Sequence, residues 1–391
     1  MPDPIPPPRV ALVTTHIAPA VGYGGIAEST ARIAGAWAAA GRPFALCASD
    51  ASEGTPHLRP AEVGLPAAVP VHLYRAHGWK RWGLGIGAAP EILRVCRQAE
   101  AVYISGIATW PTSLAGLACR MLRRPFVVAV RGGLMPGHIE HIRRRKPLKW
   151  LFYRMVTLPT LTMARAVHAT STVEADGVRD LLPTVPVAVV PNAVDLREWP
   201  PLPPRAHDGR RVTGYIGRLS PEKGILPFLR AWLATRRPGD RFLVAGSGDG
   251  SYAAEFARLA ASANGAVELR GYLRPDGVRA LLAESDLVVL PSGLGEGGLR
   301  ENFGNAVVEA LASGRPALVT RGMAWDDLEE EGAGLVFAAD ASGARSAMER
   351  AQALSVERLA AMGAAARRLA ADRYALAPVA DRLWRLVTEE V

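Results

Sequence analysis

With 391 residues, 49% of them hydrophobic and 21% charged, the chain is too long for a single core and too apolar for disorder, so two globular domains are expected. No run of about 18 apolar residues suggests a membrane-spanning helix, and the three cysteines, Cys47, Cys96 and Cys119, form no CxxC pair, which argues against a zinc site or disulfide framework and for a reducing cytosol. The net charge of +9 lies wholly in residues 1–200, with 22 Lys and Arg against 13 Asp and Glu, while the remainder holds 24 of each; the first half therefore expects an anionic partner.

In chain order, MPDPIPPPRV has no apolar core for a secretory signal, and residues 1–8 read as a disordered, proline-rich tail. Arg9–Thr15 is a strand candidate that leads into VGYGGIAEST and a helix over Ile26–Ala40. Pro43–Ala48, Ala101–Ser105, Pro125–Val130, Ala166–Ala169 and Pro186–Val190 are further strand candidates with helical stretches between several of them. Residues 191–205, PNAVDLREWPPLPPR, contain five prolines and no periodicity, and read as a linker. A second series follows: strand RVTGYIGRL from Arg211, helix Gly224–Ala234, strands RFLVAGSG and AVELRGYL, and helix Pro275–Ala283. It continues with strand DLVVLPS, helix ENFGNAVVEALAS, strand RPALVT and a helical tail over 343–391. This alternation predicts an α/β protein of two doubly wound domains. They span 9–200 and 201–374, with a C-terminal helix 375–391 returning to the first. In such sheets ligands bind beyond the carboxyl ends of the strands, so a shared cleft is expected.

Four post-strand loops carry candidate chemistry. Gly22, Gly24 and Gly25 let backbone amides approach a phosphate at a helix N-terminus, or simply turn the chain. In GRLSPEKGI, Arg218 and Lys223 are spaced to converge on one diphosphate. The glycines of AGSGDGSY and the backbone of RGYL are lesser candidates for ligand contact. In ENFGNAVVEAL, a helix from Asn305 puts Val307, Val308 and Leu311 on one face within about 100°. Glu309 then falls away from them, either as a solvated carboxylate or as a ligand contact one turn into the helix. Diphosphate at the helix amides, sugar hydroxyls at Glu301 and ribose at Glu309 would account for the spacing.

ENFGNAVVEAL resembles the E-x7-E motif of retaining glycosyltransferases of family four (glycosyltransferase group 1). PNAVD at 191–195, GRLSPEKG at 217–224 and GYL at 271–273 are similar to that family in the same order. VRGGLMPGH at 130–138 and HATSTVEAD at 168–176 resemble its bacterial surface and exopolysaccharide branch. The likeness runs from about 9 to 340 and implies the GT-B architecture, two Rossmann-like domains facing a central cleft. It implies that Arg218 and Lys223 hold the donor diphosphate while Glu301 contacts the transferred sugar. Asn302, Phe303, Gly304 and Asn305 would meet sugar or phosphate, Glu309 the ribose, Tyr272 and Leu273 the base, and Gly24 and Gly25 the phosphate. It implies no cofactor and no metal. The donor would be a nucleoside-diphosphate-sugar and the acceptor a polyprenyl-diphosphate-linked saccharide or an oligosaccharide.

Many relatives place a histidine directly after the strand Pro125–Val130; here that position holds Arg131, so Arg131 and His138 are both candidates for that role. Glu296 and Arg300, in the Gly-rich stretch before Glu301, are candidate substrate contacts or part of a surface insertion. The cations and aromatics from His141 to Arg154 suit an anionic membrane surface or a lipid diphosphate, or else a solvated face; neither half shows a nucleic-acid-binding module. A cytoplasmic enzyme, peripheral at the inner face of the cell membrane, is expected. The alternatives are a nucleotide-sugar epimerase of the same architecture and a non-catalytic nucleotide-sugar-binding partner.

Overall fold

The computed structural model describes residues 8–20, 22–54, 56–205, 209–295 and 299–389. The expected tail falls almost entirely outside the described residues, as does Glu296. The chain forms two compact units, one of residues up to Ala193 together with the segment from Leu376, the other of Val194–Ala375.

In the first unit, β1 (Val10–Thr14), β2 (Phe44–Ser49), β3 (Val71–Tyr74), β4 (Ala101–Ser105), β5 (Phe126–Ala129), β6 (Ala166–Ala169) and β7 (Val187–Val189) form one sheet. Its order is β3-β2-β1-β4-β5-β6-β7, with every pairing parallel. In the second unit, β8 (Val212–Ile216), β9 (Arg241–Ala245), β10 (Val267–Leu269), β11 (Leu287–Leu290), β12 (Ala317–Thr320) and β13 (Gly334–Phe337) order as β10-β9-β8-β11-β12-β13. The central strands are mostly apolar because helices cover both faces of each sheet; β1, β4, β5 and β11 are buried at every position. Each order reverses once, between β1 and β4 and between β8 and β11, and that crevice is where a doubly wound sheet receives its ligand.

Two strands are additions to the sequence reading. β3 carries His72 and is mostly half-buried at its sheet edge, and β13 opens on a glycine and has four residues, so neither gives a long apolar run. The expected linker is also less loose than its prolines suggest. Val194 bridges to Ala375, Trp199 is buried under the Arg279 guanidinium, and Leu202 donates to the Ser313 carbonyl at 3.0 Å. Residues 194–205 thus line the second unit, and the division falls after Ala193 rather than at 200.

The Leu376–Thr388 helix belongs to the first unit. Trp384 packs edge-on to Trp37 at 5.2 Å, the Trp37 indole donates to the Ala380 carbonyl at 2.9 Å, and Arg42 pairs with Asp381 at 2.6 Å. Trp384→Ala should lower the stability of the first unit by about 3–5 kcal/mol, because the indole is almost wholly buried. Chemical denaturation followed by Trp fluorescence measures this; a loss below about 1 kcal/mol would show that the helix is dispensable there.

Candidate active site

In the second unit the loops after β8 and β11 sit side by side at the sheet's reversal. Pro221–Lys223 is a single 3-10 turn ending at Gly224, which takes a left-handed φ of 63°. A Cβ on Gly224 would collide with the Pro291 carbonyl, so only glycine lets the two loops approach this closely. Ser292, fully buried, joins them: its hydroxyl donates to the Glu222 carbonyl at 2.7 Å and accepts from the Glu301 amide at 2.7 Å. That link brings the Glu301 carboxylate into direct contact with the Lys223 ammonium. Arg218 stays largely exposed and pairs with Glu222 at 3.1 Å. Burial, followed by the nearby Arg218 charge, pushes the Lys223 amine down to about 8, while Glu222 pulls the other way.

Glu301 leads through Gly304 into the Asn305–Ala312 helix. Gly304 has φ 77°, and a Cβ there would strike the Leu290 side chain. Phe303 packs its ring against Trp325 and Tyr374, and its carbonyl accepts from the Trp325 indole, so only its amide remains to offer a ligand. Glu309 corrects the wheel argument. It is buried rather than solvated, as residues 307–312 all are in a helix that packs against both the sheet and the Val356–Tyr374 helix. Asn305 and Glu309, four apart, share the face leading back to the helix N-terminus.

Tyr272 is 78% exposed after Gly271, whereas Leu273 packs its side chain into the apolar clusters around β8 and β11. The AGSGDGSY glycines have a structural role. Cβ atoms on Gly246 and Gly248 would collide with the Gly217 and Leu219 carbonyls, and the Gly246 amide donates to Gly271 at 2.7 Å. Arg300 lies over Gly293 and Gly322 and donates to the Arg321 carbonyl.

In the first unit, Gly24 caps the Gly25–Ala39 helix with φ 66° and ψ −157°, a region open only to glycine. Both Gly24 and Gly25 are exposed, as a ligand approach requires. Beneath them His16 stacks on Tyr23 with ring centroids 3.5 Å apart. Burial pushes His16 down to about 4, so it is neutral, and the buried Tyr23 hydroxyl has no hydrogen-bond partner. Arg131 follows β5 with φ 49° and donates to Asn192 Oδ1 at 2.7 Å and to the Tyr103 hydroxyl at 3.1 Å. Tyr103 meets His168 Nδ1 at 2.9 Å, and His168 Nε2 meets the Val190 carbonyl at 2.7 Å. A carbonyl only accepts, so His168 donates from Nε2 and accepts from Tyr103 at Nδ1. Burial and Arg131 hold its pKa near 3, in keeping with that neutral tautomer. His138 lies instead on the Pro136–Arg145 helix, pushed down to about 4 by burial and by Lys149, His141 and Lys146. Of the two candidates, Arg131 is the one at the strand end.

Residues 24–193 match the family profile described as glycosyl transferase 4-like domain, and residues 210–353 match glycosyl transferases group 1. The chain carries two glycosyltransferase domains, each a parallel-sheet Rossmann-like unit of the kind found in GT-B enzymes. It is 27% identical to 2-deoxystreptamine N-acetyl-D-glucosaminyltransferase of Streptomyces fradiae over 60% of this chain and 58% of that protein. The chain thus spans little more than half the length of that curated relative. Its fold is similar to Anabaena HepE in complex with UDP and glucose, at 15% identity and TM-score 0.72, covering 97% of this chain and 98% of that one. It is similar also to WaaG, a glycosyltransferase involved in lipopolysaccharide biosynthesis, at 15% identity and TM-score 0.67, covering 97% and 100%.

Sequence reasoning missed four residues in these glycosyltransferase domains. Ser292 was visible only as the serine of LVVLPS. The His16–Tyr23 stack needed contact across a loop. Glu174 is fully buried and accepts from the amides of Gly132 and Thr170, fixing the Arg131 turn. Its sequence signal was Ser171-x-x-Glu174, a helix-capping pattern, in which Ser171 accepts from the Glu174 amide at 3.1 Å.

Lys223 also fixes a pH dependence of stability. Its folded pKa of about 8 lies below the ordinary 10.5, so between these values the unfolded chain holds the extra proton. Stability contributed by this group therefore rises with pH across that window, by on the order of 1–3 kcal/mol. Urea unfolding of wild type and Lys223→Met from pH 7.5 to 10.5 should show this rise in the wild type alone. Parallel curves would remove the assignment.

Proposed function

We propose that the chain is a retaining glycosyltransferase that moves a sugar from a nucleoside-diphosphate-sugar to a polyprenyl-diphosphate-linked or oligosaccharide acceptor in bacterial surface polysaccharide synthesis. The observation that carries the reading is the Ser292-tied pair of loops that sets Lys223 against Glu301 beside Arg218. On donor binding the diphosphate takes over the Lys223 ammonium, and Glu301 is released to the sugar hydroxyls. Arg218 gives up the exposed Glu222 for the same phosphates, and the first amides of the Asn305–Ala312 helix face them. Glu309, behind Asn305 on that face, takes the ribose, and Tyr272 and the Leu273 main chain frame the base.

As the sugar's C1–O bond to phosphate breaks, negative charge grows on the diphosphate. Two cations and the helix amides stabilise it without a metal. The acceptor hydroxyl attacks C1 on the same face and passes its proton to the departing phosphate oxygen, so no protein nucleophile is required. In the first unit, Gly24 and Gly25 offer amides to phosphate, and Arg131, held by Asn192 and Tyr103, takes the position of the family's histidine.

The basic Pro136–Arg145 helix and the Pro147–Phe152 helix after it support peripheral membrane binding at the cytoplasmic face. Among the described residues no helix is long and apolar enough to cross a membrane. Leu148 is 82% exposed, and Leu151 and Met155 follow it three and seven positions on, also exposed. Arg143, Arg144, Arg145, Lys146 and Lys149 surround them, an arrangement that suits anionic lipid better than water.

Isothermal titration with UDP, GDP and their sugars tests the donor site. One base should bind, with affinity falling as pH rises above about 8, because phosphate needs the charged amine. Lys223→Arg should abolish that fall, and Lys223→Ala should weaken binding at least about tenfold. Unchanged binding and turnover in Lys223→Ala would overturn the reading. Flotation with phosphatidylglycerol vesicles tests the membrane surface: Leu148→Ser with Leu151→Ser, or Arg143–Arg145 changed to Gln, should release the protein, and undiminished flotation in both would exclude it.

A further inference from the structure

The second unit carries another cavity, of about 440 Å³, on the side away from the donor loops. Ser285 and Asp286 precede β11 and Pro316 precedes β12, so this cavity lies at the amino ends of the strands. The donor loops leave the carboxyl ends, and the two sites face opposite edges of one sheet.

Its lining combines four arginines, Arg205, Arg315, Arg367 and Arg368, with a single carboxylate, Asp286. Asp286 is already engaged: Arg205 pairs with it at 3.0 Å and the Val212 amide donates to it at 2.7 Å. Arg315 is buried, 4% exposed, and meets only carbonyls, those of Leu282 and Pro203 at 2.8 Å each. Arg367 likewise donates to the carbonyls of Trp199 and Ala312. Burial depresses both guanidinium pKa values, while the Asp286 charge pulls that of Arg315 the other way. Among the described residues Arg315, Arg367 and Arg368 form no ion pair. A buried or half-buried cation is costly unless an anion answers it, and guanidinium forks suit phosphate oxygens. The rest of the wall is apolar: Leu202, Pro204, Leu359 and Ala360 among others.

We propose that this cavity binds a small phosphate monoester with an apolar body, its phosphate at the arginines and its body against the Val356–Tyr374 helix. A volume of this size is within the usual range for small-molecule sites. The ligand would bear on the donor helix as well, because Arg367 holds the carbonyl of Ala312, that helix's last residue.

The probe is hexyl phosphate, titrated calorimetrically against the full chain, with inorganic phosphate beside it. The expected result is one saturable site, tighter for hexyl phosphate than for phosphate and not displaced by saturating UDP. Arg315→Ala is avoided, since Arg315 ties the 203 segment to the 282 turn and its loss would compromise folding. Arg368→Glu, on the exposed rim, and Ala360→Trp, which fills the cavity from an exposed helix position, should each weaken hexyl phosphate at least about tenfold. Circular dichroism and the melting midpoint verify that both variants remain folded. Absence of saturable binding, displacement by UDP, or binding unchanged in both folded variants would overturn the proposal.

Discussion

A lysine ammonium drawn out of water at the end of a strand must have a negative charge beside it. Lys223 is in that position, and much of the second unit's upper edge is arranged around the need. In the unliganded protein Glu301 supplies the charge. A diphosphate would supply more of it, over several oxygens, and would free the carboxylate for hydroxyl groups that it can accept bonds from. The same burial that makes the amine lose its proton easily also makes it a strong partner for phosphate, since a nearby anion restores the proton and the low polarity strengthens the attraction.

Such a contact requires two loops to meet more closely than side chains normally allow. Gly224 against the Pro291 carbonyl, Gly246 against the Gly217 carbonyl and Gly304 against Leu290 are all places where a Cβ would collide. These glycines set the distances between loops, and Ser292 then ties the loops by hydrogen bonds rather than by bulk. Most sit at positive φ as well, so backbone conformation and close approach make the same demand on sequence. The glycines that look from the sequence like ligand contacts at AGSGDGSY are therefore better explained by the packing of one post-strand loop on the next.

Legibility in the sequence followed the range of the interaction. Continuous apolar runs such as Val10–Thr14 and Leu287–Leu290 announced central parallel strands, and the helix boundaries near Asn305 and Pro275 were within a residue. The short edge strands at Val71–Tyr74 and Gly334–Phe337 gave no such run. Arg218, Lys223 and Glu301 could be named because charge after a strand is a local signal. Glu309 was legible as a carboxylate but not as a buried one, because a helical wheel carries no information about the other elements that pack around the helix. The chain from Arg131 through Tyr103 to His168 joins three strands, and no local pattern marks it.

The two units solve the problem of charge in different ways. The second balances its cations and acids overall: Lys223 and Arg218 at one edge of the sheet are answered by Glu301 and Glu222, while Arg315 and Arg367 at the other donate to carbonyls. The first carries the whole positive excess and places much of it outside, on two consecutive helices around Leu148 and Leu151. Inside, that same unit keeps two buried histidines neutral: His16 and His168 are both held far below their ordinary pKa by burial. Arg131 is the exception, a cation at a strand end fixed by a neutral amide and a phenol rather than by a carboxylate. Its charge is therefore not cancelled by the partners that position it, and it remains available to whatever anionic group reaches that loop.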